Sequence, residues 1–135
     1  MSLKKIYQTE DNCTDACIAS ILKIPLNKVP SMRWAHESGE VWLEALNKWS
    51  TKIHKTFFAL MNWEDIKSLI ALNYNGHIIL NVVGDYTEKC GHAIIAKIEN
   101  KDISIVHDPS IINKNNLGYV GMNRKVLYGI LPIKI

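Results

Sequence analysis

Gln8 to Leu22, reading QTEDNCTDACIASIL, is the stretch on which the fold turns. Asn12 stands where a helix-capping residue would, with Asp15 three positions on. This is an asparagine-acid form of the capping box, and Ala16, Ile18, Ala19, Ile21 and Leu22 continue as helix-compatible residues. Cys13 is then the first residue of a helix. The dipole and unpaired amides of a helix N-terminus favour an anion, so a thiol there is biased toward thiolate, the nucleophilic form. No charge falls between Asp15 and Lys23. A helix apolar on almost every side predicts a rod running through the interior, its tip carrying chemistry and its body serving as the anchor.

Working outward, 135 residues predict one domain, 1–135, with a core of its own. The 47% hydrophobic and 21% charged composition is that of a globular chain, not a disordered or membrane-embedded one. A net charge of +3 comes from scattered basic residues, which gives no support to a nucleic-acid or membrane partner. Three cysteines cannot all pair, and MSLKKIYQ lacks the apolar core of a signal peptide. Together these point to a reduced, cytoplasmic protein. No apolar run reaches transmembrane length.

After the helix, Pro25 and Pro30 allow at most a short turn between them. Residues 31–37 read as an irregular link holding Arg33, Trp34 and His36. From Ser38 to Lys52, Trp42, Ala45, Leu46 and Trp49 recur at helical spacing and predict an amphipathic helix, with Glu44 and Lys48 as an exposed i,i+4 pair. Ile53 to Leu60 reads as a strand. Asn62 with Asp65 caps another helix, which NYNG ends at Asn73 to Gly76. HIILNVV, HAIIAKI, DISIVHD and VLYGILPI follow as short β-rich segments. Helices first and strands later is the pattern of an α+β domain.

HAIIAKI and DISIVHD are joined by ENKD, a tight hairpin turn. With Glu99 facing Asp102, His92 falls opposite Pro109; a shift of one residue would set Asp108 directly across from His92. Either register starts the two side chains from neighbouring positions at one end of a hairpin, where cross-strand Cβ atoms are roughly 5 to 8 Å apart and a carboxylate can orient an imidazole. Cys13, His92 and Asp108 thus supply a thiol, a proton carrier and an acceptor that fixes the imidazole tautomer. Gln8, just upstream, offers a side-chain amide that together with the Cys13 N–H could hold an oxyanion.

QTEDNCTDACIASIL followed by GHAIIAKIENKDISIVHDPS resembles a papain-like cysteine peptidase. The nearest branch is that of the compact bacteriocin-processing (double-glycine leader) peptidases and their stand-alone bacterial and phage relatives. In that branch a Gln precedes the nucleophilic Cys, the Cys opens a central helix, and the His starts a strand followed by an Asp-Pro pair. The resemblance covers the N-terminal quarter and residues 76–110. It implies Gln8 as oxyanion donor, Cys13 as nucleophile, His92 as general base and acid, and Asp108 as orienting residue. It further implies a central N-terminal helix packed on a C-terminal antiparallel sheet, and cleavage of a peptide or isopeptide bond in a peptide or protein substrate. No metal or organic cofactor is required. Thr14 stands where the family usually has Gly after the nucleophile, and Gln8 is five positions before Cys13, one fewer than in papain.

Other readings of the same residues stay open. A cell-wall amidopeptidase of the Cys-His type would share this chemistry, and a non-catalytic module of the same build would bind a peptide or partner. Cys13 and Cys17, four apart on one helical face, could with Cys90 and His92 make a four-ligand zinc site, though C-x-H is poor zinc spacing and leaves Asp108 without a task. Cys17 reads as packing and is the rival nucleophile; Cys90 has no assigned role. His107, next to Asp108, is a surface residue or a second functional group. His36, His54 and His77 read as solvent or capping residues. Trp34, Trp42, Trp49 and Trp63 read as core, with Trp34 the candidate for a cleft.

Overall fold

The computed structural model describes residues 3–9, 12–30, 39–83, 91–110 and 125–135. Among these the architecture is α+β, three α-helices and one five-stranded antiparallel sheet. The first helix, α1 (Cys13–Leu22), is buried from Thr14 to Ser20. It opens with the Ala16 N–H on the Asn12 carbonyl, 3.0 Å, and is ended by Lys23 in the left-handed region, φ 59°. The expected side-chain cap is corrected here. Asn12 has φ −127° and ψ 39°, and its side chain makes no capping bond. It turns back instead, Oδ1 accepting from the Thr9 N–H at 3.0 Å and Nδ2 donating to Thr9 Oγ1 at 3.1 Å. Asparagine competes for local backbone donors in this way, and here the approach loop wins it over the helix.

Between the prolines the chain makes one 3-10 turn, Leu26–Lys28. The second helix, α2 (Gly39–His54), runs two residues past its expected end, so the first strand, β1 (Thr56–Met61), begins three residues later than Ile53. The junction is fixed by Lys55, φ 52°, and by the Ser50 hydroxyl donating to the Thr56 carbonyl, 2.8 Å. Asn47 of α2 satisfies both backbone groups of Phe58, accepting from its N–H at 2.7 Å and donating to its carbonyl at 2.9 Å. As β1 is an edge strand, this contact blunts part of an otherwise open edge. In α3 (Trp63–Ala71) the Asn62 side chain does cap, accepting from the Asp65 N–H at 2.8 Å.

The remaining strands are β2 (Gly76–Val83), β3 (Gly91–Glu99), β4 (Asp102–His107) and β5 (Val126–Lys134). Their order is β1-β5-β2-β3-β4, which threads the last strand in sequence between the first two. The β3–β4 turn places Asn100 and Lys101 at φ 54° and 60°, the mirror-image turn whose twist suits a two-residue hairpin. Both sheet faces are covered. Phe58, Ile79, Ala93, Ile95 and Ile130 pack with α1 and α2, while Ile78, Leu80, Ile94, Ala96 and Ile98 pack with Ile66 of α3. That is why the strands read as nearly continuous apolar runs instead of alternating ones.

Two irregularities lie at one end of the sheet. Pairing of β3 with β4 runs Ala96 to Ile105 and then Ile95 to His107, so Val106 is an extra residue. Pairing of β2 with β5 runs Asn81 to Tyr128 and then Val82 to Val126, leaving Leu127 extra. Bulges of this kind re-aim the side chains beside them. Among the described residues no helix is long and apolar enough to cross a membrane.

Candidate functional site

The half-buried Cys13 sits at the N-terminal tip of α1, and its Sγ accepts a hydrogen bond from the Ala93 N–H at 3.4 Å. The preceding residue, His92, lies 2.7 Å through Nε2 from Asp108 Oδ1. With Nε2 held by the carboxylate, Nδ1 is the ring nitrogen left to face the thiol. The side chains of Cys13, His92 and Asp108 therefore meet at one place, although 80 residues separate Cys13 from Ala93 in the chain.

Charge follows from these contacts. Burial works against ionising Cys13, but hydrogen bonds from His92 and from the Ala93 N–H, with the neighbouring imidazole charge, outweigh it and hold the thiol below its ordinary value. Burial likewise opposes the His92 imidazolium; hydrogen bonds and charge from Asp108 and Cys13 outweigh it and raise the ring to about 9. The two shifts describe one coupled pair, a thiolate beside an imidazolium. Cys17, one helical turn deeper, goes the other way. Complete burial, then the charges of Cys13 and Asp108, pushes its thiol well above the usual range.

Asp108 is wholly buried, and its Oδ1 also accepts from the Ser110 N–H at 2.9 Å. This is an Asx-turn over Asp108-Pro109-Ser110, and it holds the carboxylate that meets the ring. Gln8 is tied to the same corner, its backbone N–H donating to the Pro109 carbonyl at 2.9 Å. The rest of the N-terminal segment is sewn down alongside. Ser20 Oγ accepts from the Ile6 N–H at 3.0 Å, and His107 Nε2 donates to the Ile6 carbonyl at 2.6 Å while its ring meets Tyr7 edge-on at 5.0 Å.

His107 is thus not a surface residue. It is fully buried, and burial first of all holds its pKa below the ordinary value. The Val106 bulge sets it opposite Ile95. The bulge also changes the hairpin register in the direction opposite to the one-residue alternative, so extended pairing would put Asp108 diagonal to His92. Contact is made because a diagonal gap is within reach of an imidazole and a carboxylate.

Other sequence candidates fall elsewhere. Trp42 and Trp49 join the core beneath α2, and the ring of His54 packs edge-on against Trp49 at 4.9 Å. His77 is half-buried in β2, and burial lowers its pKa. Arg33, Trp34, His36 and Cys90 lie outside the described residues, and with Cys90 goes one proposed ligand of the zinc alternative. Among the described residues no three His, Cys, Asp or Glu are grouped to hold a metal ion.

Three groups in this part of the sheet escaped the sequence reading. The Ala93 N–H is a backbone group and leaves no trace in residue identity. Asn81 and Tyr128 sit in one cross-strand row with Ala93, and Asn81 Nδ2 donates to Tyr128 Oη at 3.2 Å. A lone Asn within the apolar run HIILNVV was the available signal. Compared with known protein families, with curated proteins and with solved structures, the chain shows no match.

Proposed function

We propose that the chain is a papain-like thiol hydrolase or acyltransferase that cleaves a peptide or isopeptide bond. The observation that carries this reading is the convergence on Cys13 at a helix tip of the Ala93 N–H and of a His92 ring held 2.7 Å from buried Asp108. The Cys13 thiolate attacks the carbonyl carbon, forming a C–S bond and an oxyanion that the Cys13 N–H and the Gln8 side-chain amide stabilise. Collapse of that intermediate breaks the C–N bond, and His92 passes its proton to the leaving amine. Water, or an acceptor amine, then attacks the thioester with His92 as base, releasing the acyl product and restoring the thiolate. Asp108 keeps the His92 ring oriented throughout. Acid–base participation of this kind is worth about 10²- to 10⁴-fold in rate.

The test is labelling by a peptide vinyl sulfone, read by mass spectrometry of the intact and digested protein. The expected result is one adduct, on Cys13, formed near neutral pH and lost in His92→Ala. Adducts spread equally over Cys13, Cys17 and Cys90, or labelling indifferent to His92, would overturn the assignment. A module that only binds peptide gives no adduct.

A further inference from the structure

The row that ends beside Cys13 contains a polar pair that the mechanism above does not use. Asn81 is 6% exposed, in a strand whose neighbouring residues Ile79, Leu80 and Val82 are fully buried or nearly so. It lies across from Ala93 on one side and Tyr128 on the other. Its Nδ2 donates to Tyr128 Oη. The Oδ1 end of the same carboxamide lies against Gly91, where a Cβ would come within 1.7 Å of it and 2.8 Å of Asn81 Cγ. A side chain at Gly91 would therefore have to displace the Asn81 amide, which fills the place its Cβ would take. The regular register that runs from Ile79–Ile130 through Leu80–Gly129 sets Tyr128 opposite Asn81, and the bulge at Leu127 comes directly after that pair.

Gly91, His92 and Ala93 are consecutive; His92 Nε2 meets Asp108 and the Ala93 N–H meets the Cys13 sulfur. We infer that Asn81, braced by Tyr128, is a positioning residue: its amide sets the seat of β3's first residues and so the distance at which His92 and the Ala93 N–H meet Cys13. This rests on the thiol site proposed above and names a further part of it. Tyr128 suits the role of brace. Burial, then the Cys13 charge, pushes its phenol above the ordinary value, so it stays a neutral partner for the amide while the thiol and imidazole ionise.

The experiment compares wild type with Gly91→Ala, Tyr128→Phe and the double variant Gly91→Ala/Asn81→Ala. Two readouts are followed: the pH profile of Cys13 alkylation by iodoacetamide, and the titration of the His92 ring by NMR. Gly91→Ala forces the Asn81 amide off its seat; the alkylation profile moves to higher pH by about one unit, a tenfold loss of rate on its rising limb, and the His92 midpoint drops. In the double variant the clash is relieved but the amide is gone, and the rate stays within about threefold of that of Gly91→Ala, roughly half a pKa unit. Tyr128→Phe falls between wild type and Gly91→Ala. If Gly91→Ala keeps both profiles, or if the double variant recovers the wild-type profiles, the pair only packs and the inference is wrong. A wild-type Cys13 no more reactive than a free thiol sinks the catalytic reading instead, and the His92 titration still decides the positioning claim.

Discussion

Cys13 and Cys17 share a helix, a face and a distance of one turn, yet their thiols are driven in opposite directions. Both are opposed by burial, but only Cys13 has an imidazole and an N–H that stabilise its anion. Cys17 has apolar neighbours and two nearby negative charges. A helix dipole offers a few tenths to about 1 kcal/mol at its end, and the contacts from β3 add the partners that lower the Cys13 thiol while Cys17 has none of them.

Exchanging the partners of the two sulfurs should break this contrast, most of all where the sulfur itself is removed. Cys13→Ala is expected to abolish both vinyl sulfone labelling and turnover, while Cys17→Ala leaves labelling in place; a Cys13→Ala protein that still forms the native adduct would move the nucleophile elsewhere. His92→Ala takes away the main stabilising partner, and alkylation of Cys13 at pH 7 should fall about 10²-fold, with Cys17 unchanged. Asp108→Asn keeps the shape but not the charge. The His92 midpoint should move down from about 9, and turnover should drop by roughly tenfold or more, measured by NMR titration beside initial rates.

The pH dependence sharpens the comparison further. The Cys13 thiolate forms below the ordinary thiol value of 9.0, and His92 stays charged up to about 9, so the ion pair occupies the window between them. Alkylation of Cys13 should rise at a pH where Cys17 is still silent, with a second inflection near 9 as His92 loses its proton. Stability carries the same signature. The His92 contribution is complete below 6.5, its unfolded value, and is lost as pH rises through about 9; the Cys13 contribution is complete above 9.0 and is lost as pH falls through its depressed value. Chemical denaturation across pH 6 to 10 checks both signs. The smallest effect belongs to Cys17→Ala, a loss of about 1 kcal/mol in unfolding free energy from one small buried group.

Much of this site was legible residue by residue. The apolar run after Asp15 predicts a buried helix with Cys13 at its start, and ENKD predicts the hairpin that carries His92 and Asp108 to the same end. Asn12 looked like a cap and was not, because its side chain had a closer backbone donor in Thr9. His107 could not be placed because its face depends on the Val106 bulge, a register change that no local pattern announces. Asn81 and Tyr128 are 47 residues apart and meet only because β5 inserts beside β2.

The sequence by itself determined the local facts: which segments are helix or strand, where the helix carrying the thiol begins, and that an imidazole and a carboxylate leave one hairpin together. Those follow from periodicity, turn chemistry and short-range sterics, which act between residues near in the chain. Only the tertiary structure decided the ionisation of Cys13, the burial of His107 and the Asn81–Tyr128 brace. Each depends on groups brought from distant strands into a place poor in water, where a single hydrogen bond outweighs any local preference.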